Sequence, residues 1–365
     1  MTDVPIAQPS LGDREADRVT DVIESGQLAE GEAVDAFETE FSDYCGTDHG
    51  VATANGTAAL HATLEAVGIG PGDGVVTTPF SFVATGNAIR FAGAIPRFAD
   101  IDPETFNLDP HSVEETVRAH RDHVEAIMPV HLYGLPAEMD HLRDIADTYD
   151  LALVEDAAQA HGAQFQGERV GSLGDAACFS FYPTKNMTTG EGGMVTTDRD
   201  DVAEGVRQFV DHGRGDGTYA HEEIGHNFRM TDLAAAIGRE QLTKLPEFTL
   251  DRRENAARLD EGLADAPVGT PTEPDDRQHV YHQYTIRTDE RDALRSRLAD
   301  AGVDTGIYYP NVIYETDAYE AFDEHAPAAE EATEQVLSLP VHPQVTEEEI
   351  ETIVDTVKGV VRTHE

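Results

Sequence analysis

The sequence is poor in cysteine and has no long apolar run, and each shortage excludes a class of protein. Its two cysteines, Cys45 and Cys178, have no CxxC partner, which argues against a disulfide framework and a structural zinc site. No apolar stretch approaches the roughly 20 residues of a membrane helix. The N-terminal residues lack the basic stretch and apolar core of a signal peptide. The sequence therefore predicts a cytoplasmic protein that does not enter a membrane.

Basic residues are also scarce, since 71 acidic residues face 25 basic ones for a formal net charge of −46. Such a surface repels nucleic acid and anionic lipid, so we expect neither as a partner. Intrinsic disorder is one explanation of an acidic chain. Here, however, the acidic residues are interleaved with apolar positions and form no tail. We therefore favour adaptation to concentrated salt, which screens self-repulsion.

Apolar strand-like runs alternate with helical segments through the first 240 residues. Glycines and the spacing of Val34, Phe37 and Phe41 predict helices over residues 13–26 and 31–46. A further helix is predicted over residues 136–149. Short apolar runs predict strands over residues 51–54, 75–78, 95–99, 126–130, 151–155, 176–181 and 193–197. The alternation predicts an α/β fold with a mostly parallel sheet flanked by helices.

The pattern changes after about residue 240. A charged helix is predicted over residues 246–263, followed by a proline-rich linker and a strand over residues 281–287. Thr346 and Glu349 have the spacing of a capping box, which predicts the start of a last helix. We predict two domains, a large one over residues 1–245 and a smaller α+β one over residues 246–365.

The position of one lysine is informative because the chain has only three lysines, Lys185, Lys244 and Lys358. Lys185 follows a predicted buried strand, in a turn punctuated by Pro183 and by the glycines that begin at Gly190. Arginine stays protonated and cannot form a Schiff base. Retention of lysine here therefore suggests a need for a primary amine. The alternative is an ordinary exposed turn residue.

A carboxylate follows the strand predicted over residues 151–155. Sheets of parallel strands place ligands at their carboxyl ends, where Asp156 and Gln159 stand. A pyridoxal phosphate (PLP) enzyme needs an anion there to keep the pyridine nitrogen of the cofactor protonated. Gln159 is then placed to hydrogen-bond the oxygen of the cofactor ring. The alternative for Asp156 is the N-cap of a helix.

Two further turns offer groups for a flat, phosphorylated ligand. Gly56 and Thr57 stand between a predicted strand and a helix, where backbone N–H groups and the helix dipole suit a phosphate. The Ser180 hydroxyl is a further donor. Phe82 follows a predicted strand and offers a stacking face, although a phenylalanine of the core fits the pattern as well. His221 and His226 lack the spacing of a zinc-binding helix, and we expect no metal.

Taken in order, these motifs resemble the DegT/DnrJ/EryC1/StrS family of PLP-dependent sugar aminotransferases, a branch of the fold-type I aminotransferases. The similarity covers most of residues 25–245. It includes Asn55-Gly56-Thr57, residues 68–73, 102–109, 129–134, 155–163 and 180–185, and Asn227-Phe228-Arg229-Met230. Lysine at position 185 separates the chain from the related dehydratase branch, which has histidine there.

The resemblance implies a fold-type I PLP-dependent transferase whose site residues match the family position by position. Lys185 would hold the cofactor as an imine, and Asp156 would pair with the pyridinium. Asn227 would reach the phosphate of the neighbouring subunit's cofactor, which implies a homodimer with shared active sites. The other implied contacts are stacking by Phe82, the ring oxygen for Gln159, and the phosphate for Gly56, Thr57 and Ser180.

The resemblance also implies an activity, which is transfer of an amino group from an amino acid, usually glutamate, to a nucleotide-linked 3- or 4-keto sugar. The product would serve the biosynthesis of amino sugars or surface glycans. Two alternatives are a PLP-dependent elimination on the same fold and a PLP-binding regulator without turnover. Residues 308–314 depart from the His-Tyr-Pro stretch of the family, in a region expected to shape the sugar site. The sequence does not identify the sugar.

Overall fold

We describe the protein from a computed structural model that covers residues 4–215, 217, 219–322 and 324–361. The helices in these residues are α1 (Asp13–Ser25), α2 (Glu32–Cys45), α3 (Gly56–Ala66), α4 (Ala84–Phe91), α5 (Pro110–Ala119), α6 (Met139–Tyr149), α7 (Asp200–Val210), α8 (Asp232–Leu263), α9 (Arg291–Asp300), α10 (Pro327–Gln335) and α11 (Glu347–Val361). The strands are β1 (His49–Thr53), β2 (Gly74–Thr77), β3 (Ile95–Phe98), β4 (Val124–Met128), β5 (Ala152–Asp156), β6 (Gln164–Phe165), β7 (Glu168–Arg169), β8 (Ala176–Ser180), β9 (Gly193–Thr197), β10 (Arg277–Gln278), β11 (Tyr284–Arg287) and β12 (Val336–Leu339).

A seven-stranded sheet organises the first two-thirds of the chain, in the order β1-β9-β8-β5-β4-β2-β3. Only β9 runs against its neighbours, so the other six strands are parallel to one another. This confirms the predicted α/β fold with a mostly parallel sheet. Because the six strands share a direction, the segments that follow β1, β2, β5 and β8 emerge at one edge of the sheet.

Helices cover both faces of this sheet because side chains alternate along each strand. In β8, Ala177 and Phe179 belong to the apolar cluster that includes α2 and α6, whereas Ala176 and Cys178 belong to the cluster that includes α3 and α7. The Cys178 thiol is buried, and its Sγ lies 3.2 Å from Thr63 Oγ1.

The first two helices end where the sequence predicted. Helix α1 is capped by Gly26 at φ 75° and α2 by Gly46 at φ 84°, and the left-handed conformation of both residues favours glycine. Val34 and Phe37 are buried on the inner face of α2, in agreement with their helical spacing. The predicted capping box before α11 is also present, because the Glu349 side chain accepts the Thr346 N–H and Thr346 Oγ1 accepts the Glu349 N–H.

The predicted start of the long charged helix was wrong. Helix α8 begins at Asp232 rather than at Pro246, with the Thr231 side chain accepting the Ala234 N–H as its N-cap. Pro246 lies inside the helix, where it lacks an N–H for the intrahelical bond. The helix continues through Pro246 because the residues before and after this proline pack into two different hydrophobic cores.

The C-terminal elements form a second unit around the antiparallel pair β11 and β12. The later half of α8 contributes Ala256, Leu259 and Leu263 to the core of this unit, whereas Leu242 and Leu245 belong to the core of the first. The predicted domain boundary at residue 245 falls within this helix, and the division into two domains stays a prediction. None of the helices in the described residues has the length and apolarity to span a membrane.

Exposed acidic side chains recur along the helices, in ordered structure. On α1, Asp13, Asp17 and Asp21 are all exposed and stand four residues apart, so they are neighbours on one helix face. Each such pair of like charges destabilises a helix by about 0.2–0.5 kcal/mol. The same repulsion acts between neighbouring carboxylates over the whole subunit, which carries a formal charge of −46.

We expect the melting temperature to rise steeply as potassium chloride increases from about 0.1 M to about 3 M, because the screening length falls from about 10 Å at 0.1 M to about 3 Å at 1 M. Thermal unfolding followed by circular dichroism measures this. Sucrose is the control, since it stabilises folded proteins without screening charge. A melting temperature that stays flat or falls with salt, or a rise that sucrose reproduces, would refute salt adaptation.

Candidate active site

A cavity of about 780 Å³ opens at the edge of the sheet where the parallel strands end. It collects side chains that lie far apart in the sequence. Of the residues singled out in the sequence, those that line it are Gly56, Thr57, Phe82, Asp156, Gln159, Ser180 and Lys185. The structure therefore brings together every predicted site residue except Asn227.

Lys185 lies in the connection between β8 and β9, and its backbone N–H donates to Tyr182 O at 2.9 Å. The side chain is partly buried in the cavity wall, so the alternative of an ordinary exposed turn residue is wrong. Burial lowers the pKa of its amine to about 8, while the nearby Asp156 carboxylate acts in the opposite direction. A substantial fraction of the amine is therefore neutral near physiological pH, as a nucleophile or a proton carrier requires.

Asp156 ends β5 and is 4% exposed. Its Oδ2 accepts the Thr85 hydroxyl at 2.8 Å, and its Oδ1 accepts the Ala158 N–H at 3.3 Å. The segment that follows forms turns, so the alternative of a helix N-cap is wrong. Burial raises the pKa of the carboxyl group, and the hydrogen bond from Thr85 opposes that rise. A buried carboxylate with these few partners is strongly stabilised by a cation placed against it.

The segment after β1 begins α3 and approaches β8 closely. The Asn55 side chain accepts the Ala58 N–H at 2.9 Å and thereby caps the helix. A Cβ atom at Gly56 would lie 2.7 Å from Ser180 Cβ, which real Cβ atoms do not tolerate. Glycine therefore allows the helix N-terminus, the Thr57 side chain and the Ser180 hydroxyl to share one corner of the cavity. Free N–H groups of a first helical turn make such a corner suitable for a phosphate.

Phe82 and Gln159 both line the cavity but differ in how much of their side chains is exposed to solvent. Phe82 is 57% exposed, so the alternative of a core phenylalanine is wrong. Gln159 is buried, and its Oε1 accepts the Tyr133 N–H at 2.8 Å. Its Nε2 donates to the Tyr309 hydroxyl at 3.2 Å, which links the residue to the C-terminal part of the chain. Burial raises the pKa of Tyr309, so this phenol stays neutral.

Asn227 lies outside the cavity lining of its own chain. It is exposed, and its backbone pairs with Asp211 beyond the end of α7. Phe228, the next residue, does line the cavity. The exposed segment that precedes Asn227 also carries Ile224, which is 90% exposed.

Three residues of the site had no assigned role from the sequence. Thr85 holds the Asp156 carboxylate, His282 lines the cavity beside Lys185, and Tyr309 contacts Gln159. Thr85 follows Phe82 by three positions at the start of α4, and this spacing is a usable signal. His282 offers none, because it lies in an irregular segment before β11 and has no spacing that marks a site.

These residues fit PLP on three observations. The buried carboxylate lacks a cationic partner of its own at hydrogen-bonding distance among the described residues, which suits a protonated pyridine. The helix terminus at Gly56 and Ser180 suits the phosphate. The partly neutral amine of Lys185 suits an aldehyde carbon.

Comparison with known proteins extends the similarity beyond the sequence motifs. A family model described as the DegT/DnrJ/EryC1/StrS aminotransferase family matches residues 9–358, and so includes the C-terminal part that the motifs left out. The chain is 40% identical over 342 residues to a protein of Streptomyces venezuelae named dTDP-3-amino-3,4,6-trideoxy-alpha-D-glucose transaminase, with 92% of this chain and 89% of that protein covered.

A relative with a different name is equally similar. The chain is 41% identical over 349 residues to a Geobacillus stearothermophilus protein named "Pleiotropic regulatory protein", with coverage of 93% and 92%. Among solved structures, S. venezuelae DesV in complex with a ketimine intermediate matches with a TM-score of 0.91 and 38% identity, over 95% of this chain and 94% of that one.

Proposed function

Because the chain belongs to the DegT/DnrJ/EryC1/StrS aminotransferase family, we propose that it transfers an amino group from glutamate to the keto group of a nucleotide-linked sugar. The chain is a PLP-dependent sugar aminotransferase. We propose that the donor is glutamate and that the acceptor sugar is linked to a nucleotide. We also propose that the product serves the synthesis of amino sugars for surface glycans. The observation that carries it is the Lys185 amine, partly neutral and beside the buried Asp156 carboxylate, in a cavity of about 780 Å³.

When bound, PLP supplies an electron sink for the bonds around the amino carbon. We assign Lys185 as the residue that holds it covalently. The phosphate is assigned to the corner formed by Gly56, Thr57 and Ser180. We assign Phe82, whose side chain is exposed in the cavity, to stacking on the ring and the buried Gln159 to the ring oxygen.

Asp156 would act as a fixed anion. Its hydrogen bonds from Thr85 and Ala158 hold both carboxylate oxygens in place, so the charge does not have to reorganise during the reaction. When PLP is bound, this charge would favour the protonated form of the pyridine nitrogen.

Lys185 would carry the proton of the reaction. Its amine, when free, would take up a proton at Nζ from the carbon that bears the donor's amino group and would release it again. A pKa of about 8 places the amine where both the neutral and the charged form are accessible near neutral pH. Lys185 would move the proton in the opposite direction when the sugar accepts the amino group.

The test is a donor half-reaction followed by an acceptor screen. Holoenzyme incubated with L-glutamate should form stoichiometric 2-oxoglutarate, with loss of the absorbance of lysine-bound PLP. Addition of nucleotide-linked 3-keto or 4-keto sugars should restore that absorbance and give an amino sugar detectable by mass spectrometry.

Two other outcomes would overturn the proposal. Ammonia released without 2-oxoglutarate would indicate elimination. The absence of a half-reaction with glutamate or any other amino acid would favour a regulator, a possibility raised by the name of the Geobacillus relative.

We further propose that the enzyme is a homodimer with active sites shared between subunits. Phe82, Phe91 and Tyr182 line the cavity and are about half exposed, so the cavity lies beside an apolar surface. Asn227 is exposed beside this region and does not line the cavity of its own chain. Its position supports a contact with the partner's cofactor.

Co-expression of Lys185→Ala and Asn227→Ala chains tests the shared site. In a heterodimer of these chains, one site would have both residues intact and the other would have neither, so we expect partial recovery of activity. Heterodimers of one Lys185→Ala chain and one wild-type chain are the control, because they give the activity expected from one intact site. If the mixed heterodimer is no more active than the two mutant homodimers, Asn227 does not act across the interface.

A further inference from the structure

His131 and Glu155 form a fully buried pair that has no part in the roles assigned above. Both side chains are 0% exposed, and His131 Nε2 lies 2.9 Å from Glu155 Oε2. Glu155 directly precedes Asp156 in β5, and His131 follows the end of β4 by three residues. The His131 backbone N–H also donates to Asp156 O at 3.1 Å. The pair therefore lies where two strands of the sheet enter the site.

Hydrogen bonds fix which nitrogen of His131 carries the proton. The Ala137 backbone N–H donates to His131 Nδ1 at 3.0 Å, so the lone pair lies on Nδ1. The proton then lies on Nε2 and is donated to Glu155 Oε2. Three backbone N–H groups also donate to this carboxylate, those of Gly171, Leu173 and Gly174. The imidazole is therefore held from both sides and cannot rotate without breaking a hydrogen bond.

The bond from Ala137 to His131 closes the segment of residues 131–137, which we call the 131–137 turn. Tyr133 lies in this turn with φ 58°, a left-handed conformation that a bulky residue adopts only where neighbouring contacts hold it. The Tyr133 backbone N–H donates to Gln159 Oε1 at 2.8 Å. The turn that His131 closes is therefore the same turn that contacts Gln159.

This contact decides which end of the Gln159 carboxamide is available to a ligand. Because Oε1 accepts the Tyr133 N–H, the other end is Nε2, and one of its N–H groups donates to the Tyr309 hydroxyl at 3.2 Å. Among the described residues, the second N–H group of Nε2 has no acceptor. Gln159 lines the cavity, so the group it has left for a ligand is a donor.

We infer that His131 is a positioning residue that acts through Gln159. Its Nδ1 atom keeps the 131–137 turn closed, and the closed turn holds the Tyr133 N–H against Gln159 Oε1. Without this acceptor the left-handed conformation of Tyr133 relaxes, and the carboxamide is free to turn its oxygen toward the ligand. The inference rests on the contact proposed between Gln159 and the ring oxygen of PLP, which needs a donor.

The first test is a pH titration of the absorbance of lysine-bound PLP, which needs neither amino donor nor sugar. A donor at the ring oxygen stabilises the negative charge there, most strongly when the neighbouring imine nitrogen has no proton. Loss of this donor should therefore raise the midpoint of the titration by about one pH unit, the size expected for one hydrogen bond to a charged oxygen.

Two matched variants of His131 separate its two hydrogen bonds. His131→Asn places an oxygen near the position of Nδ1 and keeps an acceptor for the Ala137 N–H, whereas His131→Gln reaches Glu155 but has no such acceptor. We expect the midpoint of His131→Asn to stay close to wild type and that of His131→Gln to rise by about one pH unit. Equal shifts in both variants, or a shift in neither, would contradict the inference.

Both variants should fold, because the turn keeps bonds that do not involve the imidazole. The Leu132 backbone N–H donates to Asn107 Oδ1 at 3.0 Å, and the backbone bond from His131 to Asp156 remains. Thermal unfolding followed by circular dichroism checks this.

A double-mutant cycle tests whether His131 acts through Gln159. Gln159→Leu alone should raise the titration midpoint, and addition of His131→Gln to that variant should raise it no further. If the two shifts add, His131 acts on the site by another route and the inference is wrong. If Gln159→Leu leaves the midpoint unchanged, Gln159 does not donate to the ring oxygen and the inference fails with that contact.

Neutron diffraction from wild-type, cofactor-free crystals gives a measurement that needs no variant. We expect a deuteron on Nε2 of His131, none on Nδ1, and the Gln159 nitrogen on the side of Tyr309. A deuteron on Nδ1, or the Gln159 nitrogen beside the Tyr133 N–H, would overturn the inference. None of these measurements involves the amino donor or the sugar, so their outcome is independent of the half-reaction and the acceptor screen.

Discussion

Replacement of Lys185 by alanine should abolish covalent attachment of PLP and lower transamination by roughly 10⁴-fold, the upper end of what a general acid–base group contributes. The variant should still fold, because the Lys185 side chain makes no hydrogen bond or ion pair among the described residues and the backbone turn to Tyr182 is independent of it. PLP should bind without a covalent bond through the phosphate corner and Asp156. Borohydride reduction followed by peptide mass spectrometry measures the attachment.

The two other lysines provide the controls for this prediction. Lys244 forms an ion pair with Glu15, and Lys358 stands in α11. Lys244→Arg and Lys358→Arg keep the charge at each position and should be trapped at Lys185 as wild type is. Recovery of reduced PLP on Lys244 or Lys358 of the Lys185→Ala protein would show that the assignment of Lys185 is wrong.

Replacement of Asp156 by asparagine should slow the donor half-reaction by on the order of 10²- to 10³-fold, the effect of removing one preorganised electrostatic group. Asparagine has nearly the same shape and still accepts the Thr85 hydroxyl, so the change removes charge and little else. Stopped-flow absorbance after mixing with glutamate measures the rate.

The same substitution should stabilise the cofactor-free protein at alkaline pH. Burial raises the pKa of Asp156 in the folded state, so its contribution to stability is greatest at low pH and is lost as the pH rises through that pKa. The Asp156→Asn protein has no such loss, and thermal unfolding of the two cofactor-free proteins at pH 5 and pH 8 would reveal it. The expected difference in melting temperature is larger at pH 8.

Thr85→Val is the matched control for Asp156→Asn. It removes the hydrogen bond to Oδ2 but keeps the carboxylate, so its half-reaction should be slower by only about tenfold. An Asp156→Asn enzyme as fast as wild type would remove Asp156 from the mechanism. If Thr85→Val were as slow as Asp156→Asn, the geometry of this corner rather than its charge would be decisive.

The sequence was sufficient to predict the edge of the sheet where the site lies. Asp156 and Gly56 each follow a strand-like apolar run and Ser180 lies near the end of one, and parallel strands bring their carboxyl ends together without further information. Retention of Lys185 in a chain with three lysines pointed to it as the residue proposed to carry the chemistry. These signals are local, because each depends on a strand and the residues directly after it.

The remaining parts of the site depend on contacts between distant segments. Tyr309 reaches Gln159 across 150 residues, and His282 reaches Asn186 across 96. Nothing near Tyr309 or His282 in the sequence indicates these partners. Helix α8 was predicted too short for a related reason, because tertiary packing of Leu242 and Leu245 maintains the helix through Pro246 against local preference.

Because β9 runs antiparallel to its neighbours, the connection that carries Lys185 should tolerate few insertions or deletions. Other connections at this edge, such as α3 and α4, pass through a helix whose ends can absorb an inserted residue. The Lys185 connection instead joins β8 directly to its sheet neighbour β9, and Ser180 pairs with Gly193 at its base. An inserted residue in this connection has no helix to absorb it. It would either displace Lys185 or shift the pairing of β8 with β9 by one residue. Such a shift turns every side chain of a strand to the opposite face of the sheet. Length variation among natural or engineered variants should therefore be lowest between residues 181 and 192.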